Sequence, residues 1–228
     1  MKIAILLSGS GSNLQAFIDK QREGTLNVEI VLVLSNNPQA YGLKRAEDAG
    51  LDTWTEAHQD FASREAFDQA MLEAIRASGA ELVVLAGYMR LLSTPFLKAF
   101  EGRIVNIHPS LLPSFPGTGA VAAAGNYGVK VTGCTVHFVE EQVDSGPVII
   151  QAVVPLPAGE DAAASLERIH RLEHRIYPQA VQWLAEGRIG VEGRQVRLAP
   201  GARPRVFAPG GEALADQWLV YPPLEQGF

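Results

Sequence analysis

Residues 106–117, NIHPSLLPSFPG, place an amide, an imidazole and three prolines directly after the apolar run RIV. Alternation along an extended segment puts Val105 and Ile107 on one face and Asn106 and His108 on the other. In an open α/β sheet, ligands bind at the C-terminal ends of the strands, where this pair falls. Pro109 holds His108 in extended geometry, and Pro113 and Pro116 narrow the freedom of the loop that follows. An acid, Asp144, lies in EEQVDSGPVII between two expected strands, where a turn can aim its carboxylate back at the sheet edge. A carboxylate beside an imidazole favours the charged ring, and an amide N–H stabilises an oxyanion. Together these residues have the makings of an acyl-transfer site with an acid and an oxyanion partner but no covalent nucleophile. The competing reading is a satisfied core histidine beside a hydrogen-bonded core asparagine.

A second stretch with chemistry in it is SGSGSN, residues 8–13, after the first apolar run and ahead of a helix-period segment. Backbone N–H groups of Gly and Ser converging on a helix N-terminus bind phosphate. A dinucleotide fingerprint needs a third Gly or Ala where Leu14 stands, and an acid near Ser35, Asn36 and Asn37; both are missing. No Lys follows Gly11 as a Walker A loop requires. What remains is a cradle for one phosphate at Gly11, Ser12 and Asn13, or else a turn capped by Ser12 or Asn13.

These groups are positioned by an alternation of strand-length and helix-period segments, the pattern of an α/β fold with a largely parallel sheet. Strands are expected at KIAILL, VEIVLVLS, ELVVLAG, RIVNI, KVTGCTVHFV and PVIIQAVVP. Helices are expected over SNLQAFIDKQREG, GLKRAEDAG and SREAFDQAMLEAIRASG. A longer helix is expected from Asp161 to Ala185, with Leu166, Ile169, Leu172 and Ile176 as its stripe and Pro178 bending or splitting it. Beyond Arg188 the Gly, Pro and Arg content predicts a short hairpin and an irregular tail.

The 228 residues, 47% hydrophobic, suffice for one large domain or a domain with an appendage. The lone Cys134 makes no internal disulfide and no metal knuckle. The N-terminal apolar run is short for a signal peptide, and no run approaches the ~18 to 20 apolar residues of a membrane span. Net charge is −6 with acids and bases interspersed, which argues against a nucleic-acid footprint. The expected location is cytoplasmic.

SGSGSNLQAFI, NIHPSLLPSFPG, TGCTVHFVEEQVDSGPVI and LEHRIYP closely resemble the phosphoribosylglycinamide formyltransferases, the folate-dependent family of de novo purine synthesis. The resemblance covers roughly residues 1–190. It implies an open, mostly parallel, twisted Rossmann-like sheet with helices on both faces, a phosphate-binding half over about 1–100, a folate-binding half over about 101–190, and a tail at 191–228. It implies a catalytic trio at Asn106, His108 and Asp144, and substrate contacts at Gly11, Ser12, Asn13, His170 and Glu173, the last on the ribose. Folate contacts are implied at Arg64, Met89, Arg90, Leu91, Leu92 and Asn106, and in the loop Val139, Glu140, Glu141 and Val143. The implied reaction carries a formyl group from 10-formyltetrahydrofolate, a cosubstrate, to glycinamide ribonucleotide, without metal, nucleic acid or membrane, in a monomer or homodimer.

Methionyl-tRNA formyltransferase and the hydrolase of the same folate share the HPSLLP trio. The first is expected to carry a basic RNA-binding extension and the second an N-terminal regulatory module, so the ribonucleotide reading is preferred. His108, His137 and Asp144 also compose a two-His, one-carboxylate metal set, although mid-strand His137 more commonly packs or supports. A non-catalytic phosphoribosyl-binding module would use the Gly loop but not Asn106 or Asp144. One departure stands out: after FPG the family usually places a His two residues on and an Arg a little later, where this chain has Gly119 and Ala122. At negative φ, a His restored at Gly119 adds a hydrogen bond to the site; at positive φ any side chain strains the backbone.

Overall fold

The computed structural model describes residues 1–202 and 220–228, and the chain divides into two units. The first comprises Met1–Asn106 with Phe138–Glu141, the second Ile107–His137 with Gln142–Phe228.

In the first unit the order is β1 (Lys2–Leu7), α1 (Ser12–Arg22), β2 (Glu29–Ser35), α2 (Tyr41–Asp48), β3 (Thr53–Thr55), α3 (Arg64–Ser78), β4 (Leu82–Leu85), α4 (Thr94–Ala99) and β5 (Ile104–His108), whose last two residues belong to the second unit. The strands lie side by side as β5-β4-β1-β2-β3, every neighbouring pair parallel. Parallel strands joined by helices are buried on both faces, which is why β1 and β4 read as unbroken apolar runs. Ala4, Leu6, Leu34, Val83 and Ile104 pack with Phe67, Met71, Leu72 and Ile75 of α3 into one apolar cluster. The Ser63 hydroxyl starts α3 by accepting the Ala66 N–H, and Gly79 ends it in the left-handed conformation.

The second unit continues with α5 (Ala120–Tyr127), β6 (Val131–Phe138), β7 (Val148–Pro155), α6 (Ala162–Ala185), β8 (Ile189–Glu192), β9 (Gln195–Leu198) and β10 (Val220–Tyr221). Here β10, β7 and β6 are neighbours in that order and antiparallel. The hairpin expected after Arg188 is β8–β9; the part of the tail between residues 203 and 219 lies outside the described residues.

Of the bend or split expected at Pro178, the split does not occur, for α6 runs unbroken through it. An interior proline costs a helix about 3 kcal/mol. Tyr177, Ala180, Val181 and Trp183 around it are fully buried, and burying large apolar side chains returns about 1.5–3 kcal/mol each. Among the described residues no helix is long and apolar enough to cross a membrane.

Candidate active site

His108 is the last residue of β5 and is buried. Its Nδ1 lies 3.3 Å from Asp144 Oδ2, and its Nε2 lies 2.8 Å from the Phe115 carbonyl oxygen. A carbonyl only accepts, so Nε2 carries a proton and donates, while Nδ1 faces the carboxylate. Asp144 Oδ2 also accepts the Gly117 N–H at 2.7 Å, and Oδ1 faces His137 Nε2 at 3.7 Å. The carboxylate thus sits among two imidazoles and a backbone donor, with its side chain 9% exposed. Asn106 precedes His108 by two positions on the same strand and is half-buried.

The loop after His108 is tied to the strands by one hydroxyl. Thr135 Oγ1 on β6 donates to the Ser110 carbonyl at 2.7 Å and accepts the Leu112 N–H at 3.1 Å. Gln151 on β7 donates to Thr135 Oγ1 at 2.9 Å and to the Leu112 carbonyl at 3.0 Å. Buried polar groups are costly unless paired, so the three of these bonds that reach Ser110 and Leu112 fix the loop's path, and the Gln151–Thr135 bond braces them. Thr135 and Gln151 were not singled out by sequence reasoning, which gave His137 a packing or supporting role. For Thr135 the available signal was its spacing two positions before the polar His137 along β6, VTGCTVHF. Among the described residues no group of three or more His, Cys, Asp or Glu is arranged to hold a metal ion.

In the second unit, Glu173 lies midway along α6 and is only 4% exposed, not the solvated acid that a helical Glu usually is. Burial first, and the Glu173 charge second, push the neighbouring Cys134 thiol well up. His170, one turn earlier, stacks on His174 with ring centroids 6.4 Å apart.

In the first unit, Gly11 is the N-cap of α1 at φ 70°, ψ 27°, with no side-chain cap. The reading in which Ser12 or Asn13 caps the helix is therefore corrected: glycine takes the cap because only it reaches this conformation without strain. Its Cα abuts Gly42, where a Cβ on Gly11 would come within 2.5 Å of the Gly42 Cα. The Met89 N–H donates to Ser8 Oγ at 2.8 Å, and Ser8 Oγ donates to Asn36 Oδ1 at 2.5 Å. A cavity of about 560 Å³ opens beside this link, with Met89, Asn36 and His58 in its wall.

The other residues given to folate fall in two linked segments of that unit. Arg90 stands over the Phe67 ring at 5.5 Å, Leu92 and Val139 pack on the same apolar cluster, and Thr94 donates to Glu141 at 2.9 Å. Buried Asp68, which sequence reasoning passed over, accepts the Ser93 N–H at 2.6 Å and clasps the end of the Met89–Leu92 segment. Leu91 and Glu140 are exposed. Arg64 is not brought to these segments by any hydrogen bond or ion pair; it pairs with Glu65 at 3.4 Å on the exposed start of α3. Val143, in the second unit, is exposed beside Asp144.

The strand-end His108 ring thus faces the Asp144 carboxylate at 3.3 Å, two positions after Asn106 in the chain. The chain belongs to the formyl transferase family, whose model matches residues 1–181. It is similar to the phosphoribosylglycinamide formyltransferase of Escherichia coli (strain K12), with 43% identity over 189 residues covering 83% of this chain and 89% of that protein. It is also similar to the trifunctional purine biosynthetic protein adenosine-3 of Drosophila melanogaster, 46% identical over 188 residues that cover 82% of this chain. The match spans 14% of the length of that trifunctional relative. Among solved structures, glycinamide ribonucleotide transformylase 1 from Symbiobacterium toebii aligns at a TM-score of 0.86 with 50% identity, covering 88% of this chain and 94% of that one.

Proposed function

We propose that the chain transfers the formyl group of 10-formyltetrahydrofolate to the primary amine of glycinamide ribonucleotide, in the cytoplasm, as a monomer or homodimer. The observation that carries this reading is the buried His108–Asp144 pair, 3.3 Å apart, with Asn106 two residues before His108, in a formyl transferase family member. The folate residues act as a cosubstrate site, and the reaction uses no metal. Gly11, Ser12 and Asn13 hold the substrate phosphate on the N–H groups of α1, while Glu173, with His170 on the same helix, binds the ribose hydroxyls. Met89–Leu92, Val139–Glu141, Val143 and Arg64 contact the folate.

The amine nitrogen attacks the formyl carbon, and the carbonyl π electrons move to oxygen. Asn106 and the imidazolium of His108 donate hydrogen bonds to that oxygen. The amine then loses its proton, the bond from carbon to the folate nitrogen breaks, and that nitrogen takes the electron pair and a proton. Asp144 holds the imidazolium and assists the proton's movement. Nε2 donates to the Phe115 carbonyl and Nδ1 faces Asp144. The substrate oxygen must therefore displace the Phe115 carbonyl to reach Nε2.

The test is a formyl-transfer assay with glycinamide ribonucleotide and a 10-formyl folate, with a control lacking the nucleotide. Formylated nucleotide made in step with folate release supports the reading. Formate release independent of the nucleotide identifies a hydrolase instead.

A further inference from the structure

We propose that Arg45 is a positioning residue for the anion loop: it fixes the Ser10–Gly11 peptide so that the Gly11 N–H faces the substrate phosphate. This rests on the reading of Gly11–Asn13 as the phosphate site. Arg45, in the last turn of α2, donates from Nε to the Ser10 carbonyl at 2.9 Å and from Nη1 to Gln15 Oε1 at 3.0 Å. Its guanidinium lies over the Tyr41 ring, 5.0 Å from the centroid. Three contacts on three sides hold the group in one place.

The consequence follows from peptide geometry. In a planar trans peptide the carbonyl and the next N–H point in opposite directions. Holding the Ser10 carbonyl on α2 therefore turns the Gly11 N–H away from α2. The preceding peptide is treated alike, because the Gly42 N–H holds the Gly9 carbonyl at 3.0 Å and so turns the Ser10 N–H the same way. Two consecutive N–H groups on one side form the start of an anion-binding concavity, which the N-terminal N–H groups of α1 extend. Gly11 and Gly42 let the two helices approach closely enough for this: a Cβ on Gly42 would lie 2.5 Å from a Leu7 methyl and 3.2 Å from the Gly11 Cα.

Arginine suits the task because its fork donates in two fixed directions from one planar group, whereas lysine offers a point charge on a flexible stem. The role thus separates from plain electrostatics. Titration calorimetry with glycinamide ribonucleotide, and separately with a non-transferring folate analogue, is run on the wild type and on Arg45→Gln, Arg45→Lys and Ser12→Asp. Ser12→Asp places a carboxylate at the start of α1, which the helix tolerates and an anion does not.

Arg45→Gln is expected to weaken nucleotide binding about tenfold, the upper range for one net hydrogen bond, with folate-analogue binding and melting temperature unchanged. Arg45→Lys is expected to lose nearly as much. Two results overturn the proposal: full nucleotide affinity in Arg45→Gln while Ser12→Asp loses it, or full rescue by Arg45→Lys, which would leave only a charge effect. If Ser12→Asp also binds the nucleotide normally, the phosphate does not sit on this loop, and the underlying reading fails together with the proposal.

Discussion

Restoring the imidazole at position 119 is a test whose sign the backbone decides. Gly119 is the N-cap of α5 at φ 74°, ψ 21°, in the left-handed region, and no atom lies within 4 Å of where a Cβ would stand. A side chain there meets no steric obstacle, so its whole cost is conformational. For an L-residue in this region that cost is about 1–2 kcal/mol. The lower freedom of a non-glycine in the unfolded chain returns part of it, leaving a loss of about 1 kcal/mol. In a chain of 228 residues that corresponds to a fall of about 2–4 °C in Tm. Gly119→Ala and Gly119→His should show the same fall, since the strain belongs to the backbone and not to the ring. The imidazole could return at most one hydrogen bond, about 0.5–1.5 kcal/mol, and only if it reaches the ligand. Thermal melts and kcat/KM measured on both variants separate the two effects. A Gly119→Ala variant that melts at or above the wild type refutes the strain argument. A Gly119→His variant with kcat/KM above that of Gly119→Ala shows that the missing imidazole matters here.

Asp144→Asn should fold normally, because Asn tolerates the positive φ of 52° at this position, and should cut turnover by ~10²-fold; wild-type turnover would remove Asp144 from the mechanism. Glu173→Gln should raise the nucleotide KM more than it lowers kcat, and an unchanged KM would place α6 away from the ribose. Glu160, ahead of α6, has its carboxyl held at about 2 by hydrogen bonds from Arg168 first and Ser165 second, against an ordinary value of 4.5. Its folded pKa is depressed, so its stabilisation is present above about 4.5 and is lost as pH falls through about 2. The Tm gap between wild type and Glu160→Gln should accordingly be largest near neutrality and close as pH approaches 2; a gap independent of pH would contradict the assignment.

What could be read from the sequence follows the range of the forces involved. Strands β1, β2, β6 and β7 were legible to within about two residues because buried strands are long apolar runs bounded by turn residues. Strand β3, Thr53–Thr55, was not, since three residues with two exposed threonines carry no period. Helix α5 was not among the expected helices, although its alanines favour helix, because the glycines in and around it interrupt the pattern. The pairing of His108 with Asp144 was anticipated from two motifs that are each local. Gly117 was not, since a backbone N–H has no letter of its own, and the same holds for Arg45, whose effect passes through the Ser10 carbonyl.

Backbone strain gives an independent view of the same place. Among the described residues two non-glycines have positive φ, Phe115 and Asp144, both at 52°. Phe115 presents the carbonyl bonded to His108 Nε2, and Asp144 the carboxylate beside Nδ1. Each such conformation costs on the order of 1–3 kcal/mol and persists only where its surroundings over-determine it. For Asp144 the surroundings are the Gly117 N–H and the two imidazoles; for Phe115 they include the Ser110–Leu112 segment bound by Thr135 and Gln151. An arrangement chosen for stability alone would place Gly or Asn at these turns, as it does Gly at 11, 79 and 119. At Asp144 a left-handed backbone carries the carboxylate that faces Nδ1, and at Phe115 it presents the carbonyl that accepts from Nε2. Among the described residues the strain of non-glycine positive φ is thus concentrated on the two partners of one ring.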